Sequence, residues 1–433
     1  MGRIRIIHTA DWHLGHTLLG QGREHEHARF LAWLTEQIET HEIDVLIIAG
    51  DVFDGRSPSG PVQAAYFAFL AGLVKRAPQA QVVIVAGNHD SPSKLASAGP
   101  VLGMLGVHVI GAALPGAVAS ELSLAVKTKR GLVGLAAVPF LRPSDLRVGD
   151  GLDPTRVEAA MASLYGEVVG ATRHAIGGEA PLIATGHTHV RGAKLSLESE
   201  RMLFGGEAGA VGAEIFPADC AYVALGHLHL SQNVGAKAIG DAAPGPVVRY
   251  SGSPIPLAFA EKSYQHSVSL VELEGPSLVS VRELVVPRSV EMTSIQGADV
   301  DEVLAAIEAL PARTEFPREV HPWLAVRAPI DAGVRVGEVR ARIEGALSNK
   351  AARLVRLALD RPAMDGSSEV QATALAHQDV RSVVQGRWAQ VRPTPLPETH
   401  RAALELAVAR AEQTVAEARQ KREADRLGSG ELS

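Results

Sequence analysis

Residues 44–54 read Asp44-Val45-Leu46-Ile47-Ile48-Ala49-Gly50-Asp51-Val52-Phe53-Asp54. The apolar run is the length of a strand, and the glycine after it ends the strand. Two carboxylates, Asp51 and Asp54, therefore lie on a loop at its carboxyl end. The same design recurs on either side. Arg3 to Ala10 reads as a strand that runs into Asp11-Trp12-His13, and Gln81 to Ala86 as one that runs into Gly87-Asn88-His89-Asp90. Further on, Leu182 to Thr185 leads to Gly186-His187, and Tyr222 to Leu225 leads to Gly226-His227-Leu228-His229. Amphipathic stretches at Glu24 to Thr40 and Val62 to Arg76 are expected helices, so the first hundred residues alternate as an α/β layered sheet does. In such sheets ligand sites lie beyond the carboxyl ends of the strands, where residues distant in sequence meet.

Strands are also expected at Leu122 to Lys127 and Leu132 to Val138, followed by a helix near Pro154 to Arg173 whose first turn is marked by Asp153-Pro154. Alternating runs at Val247 to Tyr250, Ser267 to Leu273 and Leu278 to Val286 predict antiparallel strands closing a second sheet. Beyond Pro287 the Gly-His signatures stop. The order becomes helix (Val300 to Ala309), strand (Trp323 to Arg327), helix (Val334 to Leu347) and strand (Arg353 to Leu359), a small α+β unit. Gly366-Ser367-Ser368 marks a loop and Arg392 to Pro397 a stiff linker. Glu398 to Arg426 is charged and alanine-rich, with a weak apolar stripe through Leu404, Val408, Ala411, Val415 and Ala418. The expected domains are 1–287, 288–362 and 363–433.

At 433 residues the chain is long enough for two or three domains, and 46% hydrophobic with 21% charged residues fits an ordinary globular protein. The one cysteine, Cys220, excludes an intramolecular disulfide and a thiolate zinc cluster, which favours a reducing, cytoplasmic setting. The start, Met1 to Ile7, goes straight into motif residues and leaves no room for a signal peptide. Val101 to Ala119 is apolar, but His108, Pro115 and four glycines interrupt it, so it reads as a buried helix-turn-strand rather than a membrane span. A net charge of −6 predicts modest unaided affinity for a polyanion. The chain has no Gly-Lys dipeptide and hence no P-loop.

Taken alone, an Asp-x-His after a strand is equally a turn with a satisfied core histidine. Five such sites in succession, each directly after an apolar strand, point to one shared site. Carboxylate and imidazole without cysteine suit manganese, iron or zinc, and an oxygen-rich, hydrated set shifts the preference to manganese.

The run Asp-x-His, Gly-Asp-x-x-Asp, Gly-Asn-His-Asp, His187 and Gly-His-x-His resembles the calcineurin-like metallophosphoesterase superfamily. Asp11 to Gly15, Gly50 to Asp54 and Arg249-Tyr250-Ser251-Gly252-Ser253-Pro254-Ile255-Pro256-Leu257 are similar to the SbcD-type nuclease subunits within it, over about residues 3 to 360. The resemblance implies a β-sandwich flanked by helices, with a small α+β cap domain and a C-terminal helical segment. It implies two divalent ions, Mn2+ by preference with Mg2+ or Zn2+ as alternatives. Asp11, His13, Asp51 and His229 would hold one, and Asp51, Asn88, His187 and His227 the other, with Asp51 shared. The catalytic residues carried over are His89, which stabilises the transition state and protonates the leaving oxygen, and Asp54, which orients His89 or caps its loop.

The same resemblance implies exonuclease action at duplex DNA ends and endonuclease action at hairpins, in repair, recombination and replication. It also implies a coiled-coil SbcC-type ATPase as partner, a dimer of this chain within a heterotetramer, and docking through Val380 to Trp388 and the tail. Two rivals stand beside it: a phosphoesterase of nucleotides or other small phosphodiesters, and a DNA-end-binding scaffold whose metals are structural. Arg56, Lys94 and Arg142 are candidate phosphate contacts. Phe30, Leu31, Trp33 and Leu34 are candidates for either dimerisation or core packing. His8 reads as a core residue, His25, His27 and His41 as solvated, and His189 as outside the site.

Overall fold

The computed structural model describes residues 2–113, 119–142, 144–146, 153–196, 210–235, 245–313, 317–331, 333–361 and scattered positions between 388 and 408. Residues 1–361 form one compact unit and residues 362–433 another. Val380 to Arg387, the Pro-rich linker before Pro397 and most of the expected tail helix lie outside the described residues. Those positions described between 398 and 408 are helical.

The chain opens with β1 (Ile4–Thr9), the small hairpin β2 (Thr17–Leu18) and β3 (Gln21–Gly22), and α1 (Glu24–Thr40). Next come β4 (Val45–Ala49), α2 (Gly60–Arg76), β5 (Gln81–Val85), the short α3 (Pro92–Ala96) and α4 (Gly99–Gly103), and β6 (Val107–Ile110). Then follow β7 (Ser123–Thr128), β8 (Gly131–Ala136), α5 (Pro154–Ile176), β9 (Leu182–His187), β10 (Tyr222–Gly226), β11 (Gln232–Val234), β12 (Val247–Tyr250), β13 (Ser267–Glu274) and β14 (Ser277–Val285). The last elements are β15 (Met292–Gln296), α6 (Val300–Glu308), β16 (Trp323–Pro329), α7 (Val336–Leu347) and β17 (Arg353–Asp360).

Two six-stranded sheets result, ordered β14-β13-β1-β4-β5-β6 and β11-β12-β10-β9-β8-β7. Four consecutive strands of each run parallel, β1-β4-β5-β6 in one and β8-β9-β10-β12 in the other. The sheets meet face to face through Ile6, Ile47, Val83, Val85, Leu135, Ile183, Tyr222 and Ala224. The outer face of the first carries α1 and α2, and that of the second carries α5. Helix α5 begins where the sequence says, because Asp153 accepts a hydrogen bond from the Thr155 amide and Pro154 occupies the first turn. With one buried layer on each face, β4 and the body of β5 are apolar throughout, which is why they read as continuous runs.

The structure differs from the sequence reading at several points. The three strands from 247 onward do not close one sheet together: β12 lies parallel to β10 in the second sheet, whereas β13 and β14 extend the first sheet antiparallel to β1. Alternation identifies a strand but not the sheet edge it joins. The 101–119 segment does begin as helix, turn and strand, yet it is not buried as a whole. Among its described residues Leu102, Val107 and Ala113 enter the core, while Val101 and Met104 are 65% and 87% exposed. Phe30, Leu31 and Leu34 are committed to the core, leaving Trp33 half-buried beside them. Strand β15 was not anticipated; it completes a parallel three-stranded sheet, β15-β16-β17, backed by α6 and α7. No helix among the described residues is long and apolar enough to cross a membrane.

Replacing Ile47, wholly buried between the sheets, with Ala should cost about 2–5 kcal/mol in denaturant unfolding, whereas Met104→Ala should change stability by less than about 0.5 kcal/mol. Burial also pushes the Cys220 thiol up to about 12, so at pH 8 it should resist alkylation until the protein unfolds, as a thiol-labelling time course with and without urea would read.

Candidate metal centre

Five loops converge at the carboxyl ends of β1, β4, β5, β9 and β10. The first two are stitched by backbone hydrogen bonds from Asp11 to Gly50, His13 to Asp51 and Leu14 to Val52. Asp90 fastens the third loop to the second, its buried carboxylate accepting the amides of Val52, Phe53 and Gly87 at 3.2, 3.0 and 2.9 Å. The fold leaves little space here. A Cβ on Gly87 would overlap the Asp51 amide and carboxylate, and one on Gly226 would overlap the Ala49 carbonyl. Asp11, His13, Asp51 and His227 have φ of 54°, 44°, 48° and 104°, a left-handed region that L-residues enter at a cost of about 1–3 kcal/mol each. Strain at four adjacent loop positions is paid where side chains must be aimed.

The side chains they aim meet. Asp11, His13 and His229 form one buried trio, and Asp11, Asp51 and His187 another. Asp51 Oδ2 stands 3.5 Å from His13 Nε2 and 3.3 Å from His187 Nε2, so one carboxylate oxygen faces both sides of the cluster. Its other oxygen accepts the His89 amide at 2.8 Å. Asn88 Oδ1 faces His187 Nε2 at 3.0 Å and His227 Nδ1 at 3.2 Å. The Asp11 carboxylate accepts the His227 amide. All seven residues expected as metal ligands are thus brought together.

The rings fit a cation's requirements. A histidine that ligates a metal normally gives its other N–H to a carboxylate or carbonyl, which fixes its tautomer. His13 Nδ1 donates to Asp54 at 3.2 Å, His229 Nδ1 to Glu261 at 2.8 Å, and His187 Nδ1 to the Ala49 carbonyl at 2.9 Å. The other nitrogen of His13, Nε2, is buried with no hydrogen-bond partner, an acceptor aimed at the cluster. Burial raises the Asp11 carboxyl to about 7. Burial also opposes ionisation of Asp51 and protonation of His187, but their mutual attraction prevails: Asp51 is held well below the usual carboxylate range and His187 rises to about 9. A divalent cation would meet the buried carboxylates of this cluster.

Several placements differ from the sequence reading. The expected contact of the Asp54 side chain with His89 is not made: the Asp54 backbone carbonyl accepts from His89 Nδ1 at 2.8 Å, and its carboxylate is engaged by His13 instead. A loop three residues past Asp51 can deliver the peptide to one ring and the side chain to another, a split invisible in sequence. His27 is not solvated: it is 5% exposed and donates to the Trp12 carbonyl at 3.0 Å, while His25 and His41 are half-buried. His8 is a core residue, accepting from Tyr222 and donating to the Leu225 carbonyl. His189 is buried but belongs to neither trio. Arg56 is exposed, Lys94 bonds Ser57, and Arg142 is half-buried with its amide on Asp145.

Glu261 has no local signature and was missed. The Arg249 to Leu257 segment proves structural: Tyr250 donates to the Thr188 carbonyl and accepts the Val190 amide, and the Ser253 amide bonds the His229 carbonyl.

Residues 4–230 match the model for calcineurin-like phosphoesterases, and 288–392 match one described as a type 5 capsule protein repressor C-terminal domain. The SbcD subunit of the SbcCD nuclease from Rhodobacter capsulatus is 40% identical over 372 residues, covering 83% of this chain and 88% of that protein. Its Escherichia coli K12 namesake is 34% identical, covering 76% and 78%. The Bacillus subtilis namesake is 34% identical, covering 62% and 66%.

Gly87→Ala should weaken Mn2+ binding at least 10-fold in a calorimetric titration, because the new methyl must push Asp51 away, and it should do so with the protein still folded by circular dichroism.

Proposed function

This chain belongs to the SbcD family of SbcCD nuclease subunits, within the calcineurin-like phosphoesterases, and on that footing we propose that its Asp/His cluster holds two divalent cations, Mn2+ first among them, for cutting DNA at duplex ends and at hairpins. As a family member it is a metal-dependent phosphodiesterase, the nuclease subunit of an SbcCD-type complex, and it has a partner subunit. The observation that carries the two-cation reading is Asp51 Oδ2, placed between His13 and His187 at 3.5 and 3.3 Å. Asp11, His13 and His229 hold one position with Asp51, while Asn88, His187 and His227 hold the other with it. Two ions held there would supply a more acidic bound water and positive charge against the phosphodiester.

The residues around them do the rest. Asp54, Glu261 and the Ala49 carbonyl keep three imidazoles in the tautomer that turns a lone pair inward. His89 is half-buried, with its ring 4.7 Å from that of His13. Its Nδ1–H is tied to the Asp54 carbonyl, so Nε2 is the atom left to meet substrate and to pass a proton to the leaving oxygen. Asp54 is in this reading a positioning residue for both His13 and His89.

The domain division at 287 and 362, a homodimer, action in the cytoplasm during repair and recombination, and docking of a coiled-coil ATPase on residues after 363 belong to the same reading. It is supported by the separate unit after Arg361 and by the absence of a P-loop from this chain, which leaves any ATP dependence to the partner.

His89→Ala should retain both cations and lower cleavage of end-labelled duplex DNA about 10²–10⁴-fold. Cleavage at the wild-type rate would remove His89 from the chemistry, and turnover of a small phosphodiester without any cutting of duplex or hairpin DNA by the wild type would move the substrate to nucleotides.

A further inference from the structure

Residues 11–27 run without a break from the Asp11–His13 loop through the β2–β3 hairpin into the first turn of α1. Two charges are buried at the end of that run: Arg23 and Glu26 are 1% and 3% exposed. Arg23 engages both carboxylate oxygens of Glu26, through Nε and, at 2.6 Å, through Nη2. Its Nη1 donates to the Pro256 carbonyl at 2.8 Å. Glu26 takes a third donor from the three-stranded layer, the indole N–H of Trp323 at 3.3 Å. Trp323 is 1% exposed, packed with Leu18, Val290 and Met292, and Arg353 stacks on its ring. A desolvated pair of this kind contributes little net stability compared with apolar packing, but it holds its partners in one geometry.

Two short arms lead from this pair to the same trio. His27, the neighbour of Glu26, donates to the carbonyl of Trp12, the residue between Asp11 and His13. On the other side, Pro256 is followed by Leu257, whose amide donates to Glu261 Oε2 at 2.7 Å, and Glu261 Oε1 holds His229. Among the other candidate ligands, Asp51 is braced by the His89 amide, its loop by Asp90, His187 by the Ala49 carbonyl and the chain after His187 by Tyr250, while His227 gives its amide to Asp11.

We infer that the Arg23–Glu26 pair is the joint through which the three-stranded layer positions one cation site, that of Asp11, His13 and His229, in preference to the other. The inference rests on the two-cation reading above. It makes Trp323, far along the chain, a positioning residue for a site it does not line.

Mn2+ titration of the purified full chain, followed by calorimetry and by the spin-coupled signal of a Mn2+ pair in electron paramagnetic resonance, tests it. The wild type should bind two ions; fewer would overturn the two-cation reading before any variant is compared. Trp323→Phe removes one N–H and keeps the ring. It should weaken one ion about 10-fold, the low end for partners that orient metal ligands, and leave the other unchanged. Glu26→Gln strands the Arg23 charge and should weaken the same ion further; where it does not fold, Trp323→Phe decides alone. A folded Trp323→Phe protein that binds both ions as the wild type does, or loses affinity for both equally, would overturn the joint.

Discussion

Two carboxylates, Asp11 and Asp51, are buried beyond the ends of adjacent strands, and the architecture around them answers that charge. Ionised carboxylates are not stable in a protein interior unless positive charge or donated hydrogen bonds meet them. The His227 and His89 amides supply part of what is needed, and the His187 ring stands 3.3 Å from the Asp51 carboxylate. A binding site for divalent cations is thus the condition under which this end of the sandwich is electrostatically complete.

Meeting that condition dictates backbone as well as side chains. Strands β1 and β4 lie in register, so their loops leave the sheet side by side and can be laced by amide hydrogen bonds. Where the loops converge, Gly87 and Gly226 have no room for a side chain, and Asp11, His13, Asp51 and His227 adopt left-handed backbone. At the Asp51 loop Asp90 helps hold that conformation, its one carboxylate accepting three amides from this loop and its own. The aspartate that ends Gly-Asn-His-Asp is therefore a clamp, distinct in kind from the asparagine two residues before it.

This division explains what was legible in the sequence. The candidate ligands Asp11, His13, Asp51, Asn88, His187, His227 and His229 each lie at or just beyond the end of a strand, so they stand in a repeated local pattern that spacing exposes. Residues that orient them have no such rule, because any donor or acceptor arriving from any element serves. Glu261 reaches His229 from a short 3-10 turn 32 residues later, and the peptide of Asp54, not its side chain, reaches His89. Strand assignment shows the same split. The apolar runs were readable one by one, but whether β13 joined β1 or a second sheet depends on which edge stays open, a property of the assembled layers.

The seam between the sandwich and the three-stranded layer applies this logic at longer range. An apolar seam would tolerate small sliding, since packing among aliphatic side chains is only weakly directional. Here Leu18, Val290, Met292 and Trp323 provide apolar contact, but a buried guanidinium–carboxylate pair with an indole donor runs through it. Displacing that pair by an ångström would leave charges unmet, so the seam has one favoured arrangement rather than a continuum. Because His27 and Pro256 lie beside the pair and lead to Trp12 and Glu261, precision built at the seam is inherited by the loops that carry Asp11, His13 and His229.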